Sequence, residues 1–213
     1  VIPSRFFWPL MKKWTEEQAE SAALDIIDRF YAAGDPELKR MLLKHSFQVL
    51  GKAREIMSDP ANDRMVLDPG VVTAGSLLHD VGISKCHAPD IYCFGTEPYI
   101  AHGIIGGELL RELGRRNGTE AEMEVFARIC ERHTGTGLSA EDIRRQHLPL
   151  PERDFRPETP EEKLICLADK FYSKSGTMEE KKPERILRSM EKFGPETIAR
   201  WHELCREFHL EPI

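Results

Sequence analysis

Four histidines and two aspartates, His45, His79, Asp80, His102, His133 and Asp169, are the residues of this chain whose types and settings could do chemistry together. His79 and Asp80 stand side by side at the end of the apolar run from Val71 to Leu78, where an unpaired charge is costly to bury and the carboxylate needs compensation. His45 falls on an apolar stripe between Leu42 and Val49, and His102 shares a face with Ile105, Gly106, Leu109 and Leu113. His133 follows the stripe Met123, Phe126, Ala127, Cys130, and Asp169 falls with Ile165, Ala168 and Tyr172. Taken singly, each reads most simply as a satisfied core residue. Inward imidazoles and carboxylates recurring on five helical stretches point instead to a divalent metal centre, because these donors suit iron, manganese, zinc and related ions. Six ligands exceed the needs of one tetrahedral ion, which leaves room for two ions sharing a carboxylate.

The elements that must position these groups are helices. Thr15 to Gln18 reads as a capping box opening an amphipathic helix with Ala19, Ala22, Ala23, Ile26, Ile27 and Phe30 inward and Gly34 as its stop. Asp35-Pro36 and Asp68-Pro69 each supply an N-cap followed by an N1 proline. The helix after Asp68 is apolar nearly all round, which makes it central, and Gly82 is its expected breaker. A helix opened by Thr96 and Pro98 is expected to stop at Gly114, with Gly103, Gly106 and Gly107 allowing a close neighbour. Capping boxes at Thr119 and Thr159 open two further helices. The stretches Pro183 to Phe193 and Pro195 to His209 complete the chain, with His202 and His209 on the surface. No strand alternation stands out. Cys86, His87 and Cys93 fit no common zinc-finger spacing and read as loop residues. The Pro- and Arg-rich segment from 138 to 158 is a candidate lid bringing Arg144, Arg145, His147, Arg153 and Arg156 toward His133.

The expectation is therefore an all-α, single-domain bundle with a metal site at its centre. Residues 1–14 form an N-terminal extension and 15–213 the helical domain, whose metal-binding core spans about 35–176 and whose last helices span 183–209. With 30 basic and 36 acidic residues the net charge is −6, and no basic block marks a duplex nucleic-acid partner. Five scattered cysteines suit reduced thiols and a cytoplasmic location. No apolar run is long enough to span a bilayer. A homo-oligomer is compatible with all of this.

The ordered pattern His45, His79-Asp80, His102, His133, Asp169 resembles the HD-domain superfamily of metal-dependent phosphohydrolases, and His79-Asp80-Val81-Gly82 is similar to the His-Asp-Ile-Gly element of its HDIG subgroup. The resemblance implies an HD-type helical bundle in which His45, His79, Asp80 and Asp169 hold one divalent ion. Asp80 then bridges to a second ion held by His102 and His133. Iron or manganese is favoured, with zinc, nickel, cobalt or magnesium compatible. It further implies hydrolysis of a phosphomonoester or phosphoanhydride of a nucleotide or similar small metabolite by a hydroxide shared between the ions. Many HDIG members carry lysine directly after the glycine, where this chain has Ile83. Lys85 is the nearest substitute and is assigned with Asp80 to the catalytic set, while Lys85, Arg144, Arg145 and Lys170 are the expected phosphate contacts. No Gly-Tyr-Pro extension of the cyclic-dinucleotide phosphodiesterases is present. Two alternatives remain open at this level: a mixed-valent diiron oxygenase of the same superfamily, and a non-catalytic metal-binding sensor.

Overall fold

A computed structural model describes residues 14–210, so most of the expected N-terminal extension lies outside the described residues. The chain is all-α, with helices α1 (Glu16–Phe30), α2 (Pro36–Met57), α3 (Pro69–Leu78), α4 (His102–Asn117), α5 (Glu120–Arg132), α6 (Ala140–Arg145), α7 (Pro160–Asp169), α8 (Pro183–Met190) and α9 (Pro195–Glu207). Four of the expected caps form. Thr15 and Thr159 make reciprocal capping boxes, and Asp35 and Asp68 accept from the backbone N–H two residues on, ahead of their N1 prolines. Each satisfies donors that the first helical turn would otherwise leave unpaired.

Helix α3 is the hub. It packs against α1, α2, α5 and α7, and every residue from Val72 to Leu78 is buried, as an apolar sequence on all sides requires. Helix α4 lies along α5 and along a short 3-10 turn, Val81–Lys85, that follows Asp80.

Several local expectations are corrected. Gly82 does not stop α3, which ends at Leu78; it sits inside the 3-10 turn, where a methyl group would strike the His102 carbonyl and the Gly106 amide nitrogen. Its role is close approach of two backbones. Gly103 and Gly106 do the same against Cys130 and Gly82, as expected. Helix α4 runs past Gly114 to Asn117, and Gly118 (φ +70°) supplies the left-handed cap. Thr119 makes no capping bond. Its backbone (φ −130°, ψ 38°) lacks the extended conformation an N-cap needs, because its N–H is tied back to the Gly114 carbonyl at 2.9 Å. The loop before α4 holds a two-residue antiparallel pair, β1 (His87–Ala88) and β2 (Cys93–Phe94).

The 138–158 segment is pinned against the body of the protein. Phe155 is buried and exchanges backbone hydrogen bonds with Leu138. Arg153 lies over the Phe155 ring and pairs with the buried Glu131, which also takes Arg111 from α4.

Candidate metal centre

Each expected ligand sits at a place the helices fix. His45 is in the middle of α2, while the other five stand at helix ends. His79 caps α3 and Asp80 follows it, His102 is the first residue of α4, His133 caps α5, and Asp169 is the last residue of α7. Three helix C-termini, those of α3, α5 and α7, therefore deliver ligands to one point. Their carbonyl ends carry partial negative charge, which favours a cation there.

The same ends set the tautomers. His79 Nδ1 lies 2.7 Å from the Ser76 carbonyl and His133 Nδ1 2.7 Å from the Cys130 carbonyl, acceptors that the last helical turn leaves free. His102 Nδ1 lies 2.6 Å from the Tyr99 carbonyl, and the Tyr99 ring stacks on the His102 imidazole. A carbonyl can only accept, so each Nδ1 carries a proton and each Nε2 is the nitrogen turned to the centre.

These atoms form two groups with one shared member. His45, His79, Asp80 and Asp169 make the first, and Asp80, His102 and His133 make the second; all six residues are buried. Asp80 divides its carboxylate between them. Oδ2 faces His79 Nε2 at 3.0 Å and His45 Nε2 at 3.3 Å, whereas Oδ1 faces His102 Nε2 and His133 Nε2, both at 3.4 Å. Asp169 Oδ1 lies 2.9 Å from His45 Nε2 and 3.6 Å from His79 Nε2. Donors about 2.1 Å from a common ion stand about 3.0 Å apart at octahedral and about 3.4 Å at tetrahedral angles. The observed separations fall around that range.

Two further observations fit a cation. His79 Nε2 and Asp80 Oδ1 are buried and make no hydrogen bond among the described residues. His102 Nε2 and His133 Nε2 approach to 3.0 Å although both rings spend their Nδ1 protons on carbonyls. Burial pushes His102 down to about 3 and lowers His133 as well, so both are neutral at pH 7 and two lone pairs converge. Burial also opposes charge on His79, but Asp80 and Asp169 outweigh it and lift it to about 9. For Asp80 burial is overcome by His79 and Lys174, and for Asp169 by Lys170 and Lys174; both carboxyls are held well below their ordinary range. His102 and His133 are thus neutral imidazoles and Asp80 and Asp169 ionised carboxylates, forms that bind divalent ions, while His79 carries a proton at pH 7 that a bound ion would displace.

The family model of the HD domain matches residues 42–173, a span holding all six of these groups. The chain belongs to the HD domain family. The chain is 35% identical over 128 residues to an uncharacterized protein of Methanocaldococcus jannaschii, a match covering 60% of this chain and 64% of that one. It is 37% identical over 111 residues to a tRNA (cytidine(56)-2'-O)-methyltransferase of Picrophilus torridus, covering 52% of this chain and 27% of the relative. A methyltransferase of the same name from Thermoplasma volcanium is 31% identical over 106 residues, 50% of this chain and 25% of its own length. The chain thus spans under two thirds of each of these curated relatives. No solved structure matches.

Around this HD core the expected cations divide. Lys170 is at the site, with its ammonium 2.7 Å from Asp169 Oδ2 and 3.1 Å from the His133 carbonyl. Lys85 is exposed on the 3-10 turn, while Ile83, in the position where many HDIG members carry lysine, is fully buried. Arg144 is exposed and pairs with Glu141 and Glu152, and Arg145 pairs with Asp142 and Glu196. The structure does not bring these three to the centre. The cation on Asp80 is Lys174, whose Nζ lies 2.7 Å from Oδ2. Sequence reasoning passed over Lys174 because it follows the end of α7, outside any periodic pattern. It also passed over Tyr31, whose hydroxyl donates to the Val81 carbonyl at 3.0 Å and ties α1 to the turn after Asp80.

Proposed function

We propose that this protein is a metal-dependent phosphohydrolase that cleaves a phosphomonoester or phosphoanhydride of a nucleotide or similar small metabolite. The observation that carries the reading is one carboxylate, Asp80, facing two imidazole pairs with its two oxygens inside a buried centre. His45, His79, Asp80 and Asp169 would hold one divalent ion and Asp80, His102 and His133 a second. When bound, such ions acidify water and neutralise the charge that builds on phosphorus during in-line attack.

The chain's own residues have separable tasks. The Nδ1 bonds to carbonyls hold three imidazoles in fixed orientation, with Nε2 turned to the centre. Burial excludes bulk water from their inner faces. Lys170 stands on the outer oxygen of Asp169 and Lys174 on Asp80 Oδ2, the oxygen that also faces His79 and His45, and both place positive charge where the anionic substrate arrives. A tRNA substrate, the one named for two relatives, is not favoured by the net charge of −6.

The test is turnover of a panel of phosphorylated metabolites by anaerobically purified, metal-reconstituted protein. Release of phosphate without oxygen is the expected result. Product formation that requires and consumes oxygen would replace this reading with the diiron oxygenase, and no turnover of either kind would leave the metal-binding sensor.

A further inference from the structure

A cavity of about 400 Å³ opens beside Asp169, walled by the segment after α7, by the end of α8 and, ahead of α4, by Asp90, Ile91 and Tyr99. Three lysines, Lys170, Lys174 and Lys181, line it, together with Ser173 and Ser175. Lys170 and Lys174 are each neutralised by a carboxylate of the centre. Lys181 is not. Among the described residues no carboxylate stands within ion-pair distance of its ammonium, and its side chain makes no hydrogen bond. The residue is nevertheless held firmly, because its backbone N–H donates to the Phe171 carbonyl at 2.7 Å. Burial pushes its ammonium down to about 8, with Lys170, Lys174 and Arg185 adding repulsion against the attraction of Asp169. A part-buried cation without a counter-charge, facing two others, is a standing demand for an anion.

We infer that this cavity is the phosphate-binding subsite of the protein, with Lys181 as its dedicated anchor and a small phosphomonoester as its ligand. A terminal phosphate carries close to two negative charges and three strong acceptor oxygens, which matches three ammonium groups better than a carboxylate would. The volume sits near the lower end for small-molecule pockets and suits a metabolite rather than a polymer. Lys174 gains a second role in this setting. A divalent ion held by Asp80 would share that carboxylate with Lys174 and leave its ammonium less fully neutralised, so metal loading and anion binding would favour each other. The assignment rests on the proposed hydrolysis only in taking the bound anion for the phosphate of the substrate.

Inorganic phosphate titrated calorimetrically into the metal-loaded protein tests it, with Lys181→Met, Lys181→Arg and, away from the cavity, Lys39→Met. Lys181→Met is expected to weaken phosphate about tenfold or more. Lys181→Arg restores most of the affinity, Lys39→Met leaves it unchanged, and metal content by elemental analysis is equal in all four. Equal affinity in the parent and Lys181→Met, or no phosphate binding by a parent that carries its metal, overturns the assignment. The two readings fail separately: phosphate bound through Lys181 without any hydrolysis would remove the proposed activity alone. Hydrolysis with a KM untouched by Lys181→Met would remove the subsite alone.

Discussion

Replacing Gly82 by alanine is the sharpest test of how this site is built. The added methyl would fall on the His102 carbonyl and the Gly106 amide nitrogen, both peptide groups that cannot swing aside. Overpacking a core costs about 1–3 kcal/mol, and obstruction by backbone belongs at the upper end, near 3 kcal/mol. At about 2–4 °C per kcal/mol for a chain of this size, the melting temperature should fall by roughly 6–12 °C. The strain is directed, because the atom struck belongs to His102. Ligand loss should therefore begin at the Asp80, His102, His133 group, and elemental analysis should show metal falling before circular dichroism shows helix loss. Gly51 is the control. It lies exposed in α2 with no heavy atom within 4 Å of the same methyl, so Gly51→Ala should stabilise by about 0.5–1 kcal/mol through helix propensity alone. Calorimetry of the pair decides the matter: if Gly82→Ala melts with the parent and keeps its metal, the close approach does not set the site.

His133→Ala should spare an ion at His45, His79, Asp80 and Asp169 and lose the other, whereas Asp80→Ala should lose both; equal metal content in the two variants would contradict the shared carboxylate. Circular dichroism must accompany both, since losing a ligand can unfold a metalloprotein. Asp142 is buried and accepts from Ser139, Arg145 and Arg200; burial opposes its charge, but Ser139 and Arg200 lower its pKa below the ordinary 3.8. Its stabilisation is thus complete above the unfolded value and lost as pH falls through the folded one. Asp142→Asn should cost about 1–3 kcal/mol at pH 7, and that gap should close in strong acid; a gap constant with pH would refute the ionic account. Manganese at about a hundred times its dissociation constant should add about 2.7 kcal/mol of stability, reversed by chelator, and a melting temperature indifferent to both would argue against a native-state site.

The parts of this molecule legible in its sequence are those decided within one turn of chain. Thr15, Asp35, Asp68 and Thr159 cap as read, because a cap is a contact between residues two or three apart. Thr119 has the same local pattern and fails, since Gly118 turns the chain in a way set by how α4 meets α5. The six candidate ligands were visible because imidazoles and carboxylates on apolar stripes contradict simple burial. The cations around them were not. Arg145 finds Glu196 on α9, and Lys174 reaches Asp80 from an irregular segment, pairings that no spacing encodes. Lys181 was invisible for a further reason: its distinction is a counter-charge that none of the described residues supplies.

The contact of Gly82 with Gly106, and of Gly103 with Cys130, means that peptide groups rather than side chains set how far Asp80, His102 and His133 stand apart. Peptide dimensions are nearly invariant, so the pitch of the ligands behaves like a machined tolerance. The lysines and serines of the neighbouring cavity, with Tyr172 and Phe193, stand on other stretches of chain, after α7 and around α8. A lineage of such proteins could rewrite that wall, and with it the molecule accepted, while the gauge of the metal-holding frame stays where it was.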